Sequence, residues 1–273
     1  MSQAIAPFVF HQGTAPLLIS MPHTGTHVPA DIAARLTPEG REVHDTDWHM
    51  PQLYDFAKAL GASILVATHS RYVIDLNRPP DGASLYPGQS VTGLCPVDGF
   101  DSKPLYASKD LEPDEAEVAR RRELYWQPYH AQLRAELDRI KSQHGVAMLW
   151  DAHSIRSVLP RFFEGQLPDL NLGTADGKSC DPALAQQLLD IARQAPGHTS
   201  VLNGRFKGGY ITRQYGRPAA QVHAVQLEMG WHCYMDDTPG APPALDPARA
   251  ARVQPVLRAL LQTLRDWTPG AAE

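Results

Sequence analysis

Histidine is the natural starting residue: the chain holds 12, and several stand beside aspartate at the ends of apolar runs. Four segments carry the pattern: Pro22-His23-Thr24-Gly25, His44-Asp45-Thr46-Asp47, Asp151-Ala152-His153-Ser154 and Glu228. A catalytic zinc usually takes three protein ligands from His, Asp or Glu and keeps a position for water, whose pKa it lowers to about 7. His23, Asp47 and His153 would supply such a set. One strand-end histidine alone is more often a plain hydrogen-bonding residue, so the joint placement carries the reading. Asp45 and His27 stand close in sequence to Asp47 and His23 and are alternatives for the same roles. Iron, manganese and cobalt suit similar donors, so the sequence does not select zinc uniquely.

Other residues suit acid-base work and anion binding. Asp151 lies two residues before His153, which on a strand points both side chains to one face, where the carboxylate can orient the imidazole. Glu228 follows an apolar run; partial desolvation there would raise its pKa toward that of a general base. The pair Asn77-Arg78, followed by Pro79-Pro80, offers a planar guanidinium and an amide donor able to clamp a carboxylate. Arg213 and Arg217 flank a Gly208-Gly209-Tyr210 turn that can be read as a mobile lid closing on a substrate. That turn matches neither phosphate-loop nor dinucleotide spacing. Ser154 lacks the Gly-x-Ser-x-Gly elbow and Cys233 lacks a local base, so nucleophilic catalysis finds no support.

These side chains need a scaffold that gathers strand ends. Apolar, β-branched runs predict strands at residues 16–21, 62–68, 71–76, 146–150, 199–202 and 224–227. Helical spacing follows Asp47 as far as Gly61, then recurs at 112–144, 182–195 and 247–267. The Gly- and Pro-rich stretch from Asn77 to Tyr106 is too long for a tight connection and reads as a functional loop. Alternating strands and helices imply one α/β domain over residues 1–273: a central mixed, mostly parallel sheet flanked by helices. Ligands are expected beyond the carboxyl ends of its strands.

Composition narrows the partners. Hydrophobic residues make up 43% and charged residues 20%, values of a folded globular chain. The net charge of −5 lacks the basic excess of nucleic-acid binders. No apolar run is long enough to span a membrane, and Met1-Ser2-Gln3-Ala4 lacks a basic signal region, so a cytoplasmic location is expected. The 3 cysteines form no Cys-x-x-Cys pair. Oligomeric state is left open.

Taken together, Pro22-His23-Thr24-Gly25, Asp45-Thr46-Asp47-Trp48-His49, Asp75-Leu76-Asn77-Arg78-Pro79-Pro80, Asp151-Ala152-His153-Ser154 and Gly208-Gly209-Tyr210-Ile211-Thr212-Arg213 resemble the N-formylglutamate amidohydrolase family over about residues 15–265. The resemblance implies a phosphorylase/hydrolase-like α/β fold, shared with zinc carboxypeptidases. It also implies hydrolysis of N-formyl-L-glutamate to formate and L-glutamate, late in histidine degradation. By that likeness His23 and His153 are metal ligands, Asn77 and Arg78 bind a substrate carboxylate, and Glu228 is the general base. Arg71 would stabilise the developing oxyanion, and Arg213, beside Tyr210, would meet the second carboxylate. Carboxypeptidases carry a glutamate ligand three residues after the first histidine; Thr26 stands there instead, so the acidic ligand is assigned to Asp47. A related N-acyl-amino-acid deacylase or carboxypeptidase, or a catalytically silent binding module, are the alternatives.

Overall fold

Strands covered on both faces read as continuous apolar runs, and Leu17–Met21 is buried at every position. A computed structural model describes residues 5–85, 88, 91–238 and 243–268; the opening residues 1–4 and four positions of the long loop after Arg78 lie outside them. The strands are β1 (Phe8–His11), β2 (Leu17–Met21), β3 (Ser63–Ala67), β4 (Ala147–Ile155), β5 (Leu170–Gly173), β6 (Ser200–Leu202) and β7 (Val222–Gly230). They form one seven-stranded sheet in the order β1-β3-β2-β4-β7-β5-β6. The central pairings β3 to β2, β2 to β4 and β4 to β7 are parallel. Antiparallel pairing enters where β1 joins β3 and where β5 joins β7. The expected mixed, mostly parallel α/β sheet is thus the observed architecture.

Period-two alternation sends neighbouring residues of each strand into opposite layers. Leu17, Ile19, Met148, Trp150, Val225 and Leu227 share one apolar cluster with residues of α3 (Met50–Leu53), the 3-10 helix Asp55–Leu60, α6 (Pro182–Arg193) and α8 (Pro247–Asp266). Leu18, Leu65, Leu149 and Ala224 meet α5 (Gln127–His144) and α7 (Tyr210–Tyr215) on the other face. One-turn helices α1 (Ala30–Ala33) and α2 (Pro38–Arg41) lie in the connection from β2. The helix expected over 112–144 is present as α4 (Glu115–Arg121), a π-helical segment Arg122–Trp126 and α5. Pro128 has no N–H for the Leu124 carbonyl, and the π segment falls at that place.

Three features depart from the sequence reading. Arg71–Leu76 is not a strand but a buried turn: Val73 N donates to Ser70 O (2.9 Å) and Asp75 N to Leu94 O (2.7 Å). Its Val73, Ile74 and Leu76 fill the second core cluster, and β-branching with burial signals a covered segment without specifying a ladder partner. Second, β4 and β7 run past Trp150 and Leu227, pairing Asp151 with Gln226 and His153 with Glu228. These polar residues sit within the strands, not beyond them. Third, the Gly-rich turn leads straight into α7, whose Ile211, Thr212 and Tyr215 are buried, so it is a packed wall rather than a lid. No helix among the described residues is long and apolar enough to cross a membrane.

Leu149 is fully buried between β2 and β7 against the α5 layer. Leu149→Ala is expected to cost about 2 to 5 kcal/mol in urea unfolding, the range for a cavity left in a close-packed core. A loss below about 1 kcal/mol would show that this face is not packed as described.

Candidate active site

The carboxyl ends of β2, β4 and β7 lie side by side because those strands are parallel and adjacent. His23 leaves β2, and the backbone bond from Asp47 N to His23 O (2.9 Å) brings the following loop onto it. His153, in β4, faces the α5 side of the sheet with Asp151, while Gln226 and Glu228 occupy the paired positions of β7. His23, Asp47 and His153 are all buried, and one donor atom from each lies within 4.8 Å of the others. His153 Nδ1 is 3.1 Å from His23 Nδ1 and 3.2 Å from Asp47 Oδ2.

The far side of each imidazole meets a carboxylate. His23 Nε2 is 2.7 Å from Asp75 Oδ1, and His153 Nε2 is 3.1 Å from Asp151 Oδ2. Such partners fix the ring tautomer and turn the Nδ1 atoms toward the cluster. Burial, then Arg71, lowers the His23 pKa, keeping that ring neutral against the pull of Asp75. Burial also opposes charge on His153, yet Asp151 and Asp47 outweigh it and hold its pKa well above the usual histidine value. Two ring nitrogens and a carboxylate thus converge, one ring held neutral and the other favouring its charged form. A divalent transition metal fits these donors.

The alternatives are directed elsewhere. Asp45 Oδ2 accepts from Tyr72 Oη (2.7 Å) and Phe100 N (2.8 Å), and His27 packs its ring on His69. Ser154 Oγ bonds Tyr234 Oη (2.7 Å), and burial raises the Cys233 thiol pKa. A second donor group, Asp169, His232 and Cys233, has its carboxylate already engaged by His232 Nε2 (2.5 Å) and Thr199 N (2.7 Å).

Over the cluster opens a cleft lined by His23, His153, Glu228, Gln226, Arg71, Asn77, Arg78, Phe100, Phe162, Arg205 and Phe206. Burial pushes the Glu228 pKa up to about 8, against the charge of His153 and with that of Asp47. Gln226 Oε1 accepts from Gly209 N (2.7 Å), which turns its amide nitrogen toward Glu228 Oε2 at 3.5 Å. Arg71 donates to Asp75 Oδ2 (2.6 Å) and stacks over Phe100, while its buried Nε has no hydrogen-bond partner among the described residues. Arg78 donates to Thr92 O (2.9 Å) and Asn77 O (3.1 Å).

Asn77 is held from several sides. Its Oδ1 accepts from Ile211 N (2.8 Å), and its Nδ2 lies 3.0 Å from His153 Nε2 and 3.4 Å from Asp151 Oδ2. Gly208 adopts φ 112°, and a Cβ on Gly209 would lie 2.3 Å from Asn77 Nδ2. Only glycine permits this approach of α7. Tyr210 and Arg213 stand off the cleft: Tyr210 packs against Trp126 and His130, and Arg213 Nε donates to Gly208 O (2.9 Å). Sequence reasoning missed Asp75, Gln226 and Arg205. For Arg205 the available signal was its place just ahead of the Gly208-Gly209 turn.

The family model for N-formylglutamate amidohydrolase matches residues 15–235. The chain belongs to this family. It is 52% identical to the N-formylglutamate deformylase of Pseudomonas putida over 94% of this chain and 95% of that one. The Pseudomonas aeruginosa N-formylglutamate deformylase is 51% identical, covering 94% and 96%. The crystal structure of N-formylglutamate amidohydrolase from Ralstonia eutropha JMP134 superposes with a TM-score of 0.78 at 30% identity, covering 96% of this chain and 97% of that one. The gene product Atu2144 of Agrobacterium tumefaciens shares the fold, with a TM-score of 0.69 at 17% identity over 96% and 97% of the two chains.

In protein loaded with a divalent metal, Asp47→Asn is expected to lower metal content after dialysis against graded chelator more than Asp45→Asn does; the reverse order would favour Asp45 as the ligand. Gly209→Ala should lower kcat/KM roughly tenfold or more by displacing Asn77, with the circular dichroism spectrum retained. Unaltered kinetics would mean that Asn77 does not need its observed position.

Proposed function

We propose that the protein hydrolyses the formamide of N-formyl-L-glutamate to formate and L-glutamate, with a divalent metal, zinc first among candidates, held by His23, Asp47 and His153. The observation that carries this reading is a single cleft that joins the His23, Asp47 and His153 cluster to a buried carboxylate and to guanidinium groups. The names of the half-identical Pseudomonas relatives supply the substrate. When bound, such an ion acts as a Lewis acid and makes water acidic near neutral pH. Glu228, its pKa raised by burial, takes a proton from the attacking water. Water adds to the formyl carbon, the C–N bond breaks, and Glu228 passes the proton to the leaving amine.

Arg71, which lines the cleft, offers its guanidinium to the carbonyl oxygen as negative charge develops there, where a preorganised donor is worth most. Asn77 and Arg78 hold one substrate carboxylate and fix the amide over the cluster. By the same family likeness we assign the reaction to histidine degradation in the cytoplasm, with a small acidic acyl-amino acid as the partner.

Metal-loaded protein should release acid from N-formyl-L-glutamate far faster than from N-acetyl- or N-succinyl-L-glutamate. Comparable rates on all three would favour a broader deacylase, and no turnover of any would reject the reading. Glu228→Gln should lower kcat by roughly a hundredfold or more with KM little changed. A variant keeping more than half of the wild-type kcat would remove Glu228 from the mechanism.

A further inference from the structure

We propose that Asp169, His232 and Cys233 form a second metal site, outside the catalytic cleft, which takes zinc or a similar thiophilic divalent ion and ties the start of β5 to the chain leaving β7. One donor atom from each of the three lies within 4.8 Å of the others, and none of the three lines the cleft. Antiparallel pairing of β5 with β7 brings them together. Gly230 N donates to Asp169 O (3.0 Å), and the 3-10 turn Trp231–Cys233 then returns the imidazole and the thiol to that aspartate. Imidazole, carboxylate and sulfur together suit zinc or cobalt and not magnesium or calcium.

His232 Nε2 stands 2.5 Å from Asp169 Oδ1 and 3.9 Å from Cys233 Sγ. Tetrahedral zinc, about 2.0 Å from nitrogen and oxygen and about 2.3 Å from sulfur, sets its nitrogen about 3.3 Å from oxygen and about 3.5 Å from sulfur, so both separations are met by shifts of less than about 1 Å. Without metal a proton bridges Nε2 and Oδ1, and the ion takes the place of that proton. The ring is prepared for the exchange: its Nδ1 bonds Ser157 Oγ, a hydroxyl that can donate or accept, so the imidazole can carry its proton on Nδ1 and present a lone pair at Nε2. Ser157 is itself fixed through its N–H to Asp237 Oδ2 (2.7 Å). A Cβ on Gly230 would lie 2.8 Å from His232 Nδ1, so glycine is what lets the ring fold back to this place. Asp169 Oδ2 accepts from Thr199 N (2.7 Å), which leaves Oδ1 to the ion. Burial, with the charges of Asp169 and Asp237, keeps the Cys233 thiol protonated without metal; coordination releases that proton to solvent. Carboxylate and thiolate then neutralise the divalent ion, as a buried site requires. Asp169 and Cys233 are buried, while the His232 side chain is 28% exposed and gives the ion a way in. His198, whose Nδ1 lies 3.8 Å from Asp169 Oδ2, is a further nitrogen for the fourth position.

Cobalt(II) is the probe, because a thiolate ligand gives it a sulfur-to-cobalt charge-transfer band in the near ultraviolet, and the His23, Asp47 and His153 cluster contains no sulfur. The full chain titrated with cobalt(II) should develop that band, and added zinc should abolish it by competition. The band should persist in His153→Ala and be absent from Cys233→Ser. Ser157→Ala, which removes only the partner of His232 Nδ1, should raise the cobalt concentration at half-saturation by roughly tenfold or more. His232→Gln should raise it further, and repeats the test on a partly exposed position if the cysteine variant does not fold. A wild type without the band overturns the site. So does a band that survives Cys233→Ser, which would place the ion at Cys95 or Cys180, or one that keeps its wild-type affinity in His232→Gln. A band lost from folded His153→Ala also overturns it, since the sulfur would then belong to the catalytic cluster. Turnover is not part of the readout, so the outcome is independent of what the cleft hydrolyses.

Discussion

Asp75 keeps a negative charge although it is fully buried, and much of the site is arranged around that fact. Its carboxylate meets His23 Nε2 at 2.7 Å, Arg71 Nη2 at 2.6 Å and the backbone N–H of Asn77 at 2.9 Å. Burial works against the ionised form, yet Arg78, His23 and Arg71 hold its pKa well below the usual carboxylate range. One side chain thus orients an imidazole, tethers a cation at the cleft and folds the turn that delivers Asn77 and Arg78. Removing one member of such a buried set leaves its partners uncompensated, at a cost of about 3 to 5 kcal/mol.

The sheet makes this concentration of charge possible. β4 and β7 pair over nine positions, and alternation along them puts apolar residues into the α6 and α8 layer while Asp151, His153, Gln226 and Glu228 share the opposite face. On that face α5 contributes Tyr129, whose hydroxyl lies 3.0 Å from Ser20 Oγ, and Ser20 in turn donates to Asp151 Oδ1 (3.2 Å). Asp151 is thereby supplied with donors from several elements, Asn77 Nδ2 and Thr212 Oγ1 each standing 3.4 Å from its Oδ2. The arrangement is rigid because each satisfied polar group limits its neighbours.

Much of this was legible in the residues. Continuous apolar runs identify β2, β3, β4 and β7, and helical spacing identifies α5, α6 and α8, because these segments meet the core through a regular period. Histidine and aspartate beside those runs point to His23, Asp47 and His153, which the fold brings together. The turn at Arg71–Leu76 was misread as a strand because its apolar pattern is real while its hydrogen bonds go to Ser70 and Leu94 instead of a ladder. β1 and β5 escaped notice as strands of four residues each, too short for an alternation to stand out.

By itself the sequence determined which chemistry was available: imidazole, carboxylate and guanidinium groups close to covered strands, in an order that resembles one hydrolase family. Tertiary structure decided which of two neighbouring aspartates faces the histidines. Asp45 and Asp47 are chemically identical and two residues apart, and they differ only in what surrounds them. Tyr72 and Phe100 take Asp45, whereas the backbone bond to His23 turns Asp47 inward. The same holds for Arg205 and Arg213, since the packing of α7 and the two phenylalanine rings, not local sequence, determines which guanidinium reaches the cleft. Local pattern fixes the period of each element, but the direction of a polar side chain is set by partners distant in the chain.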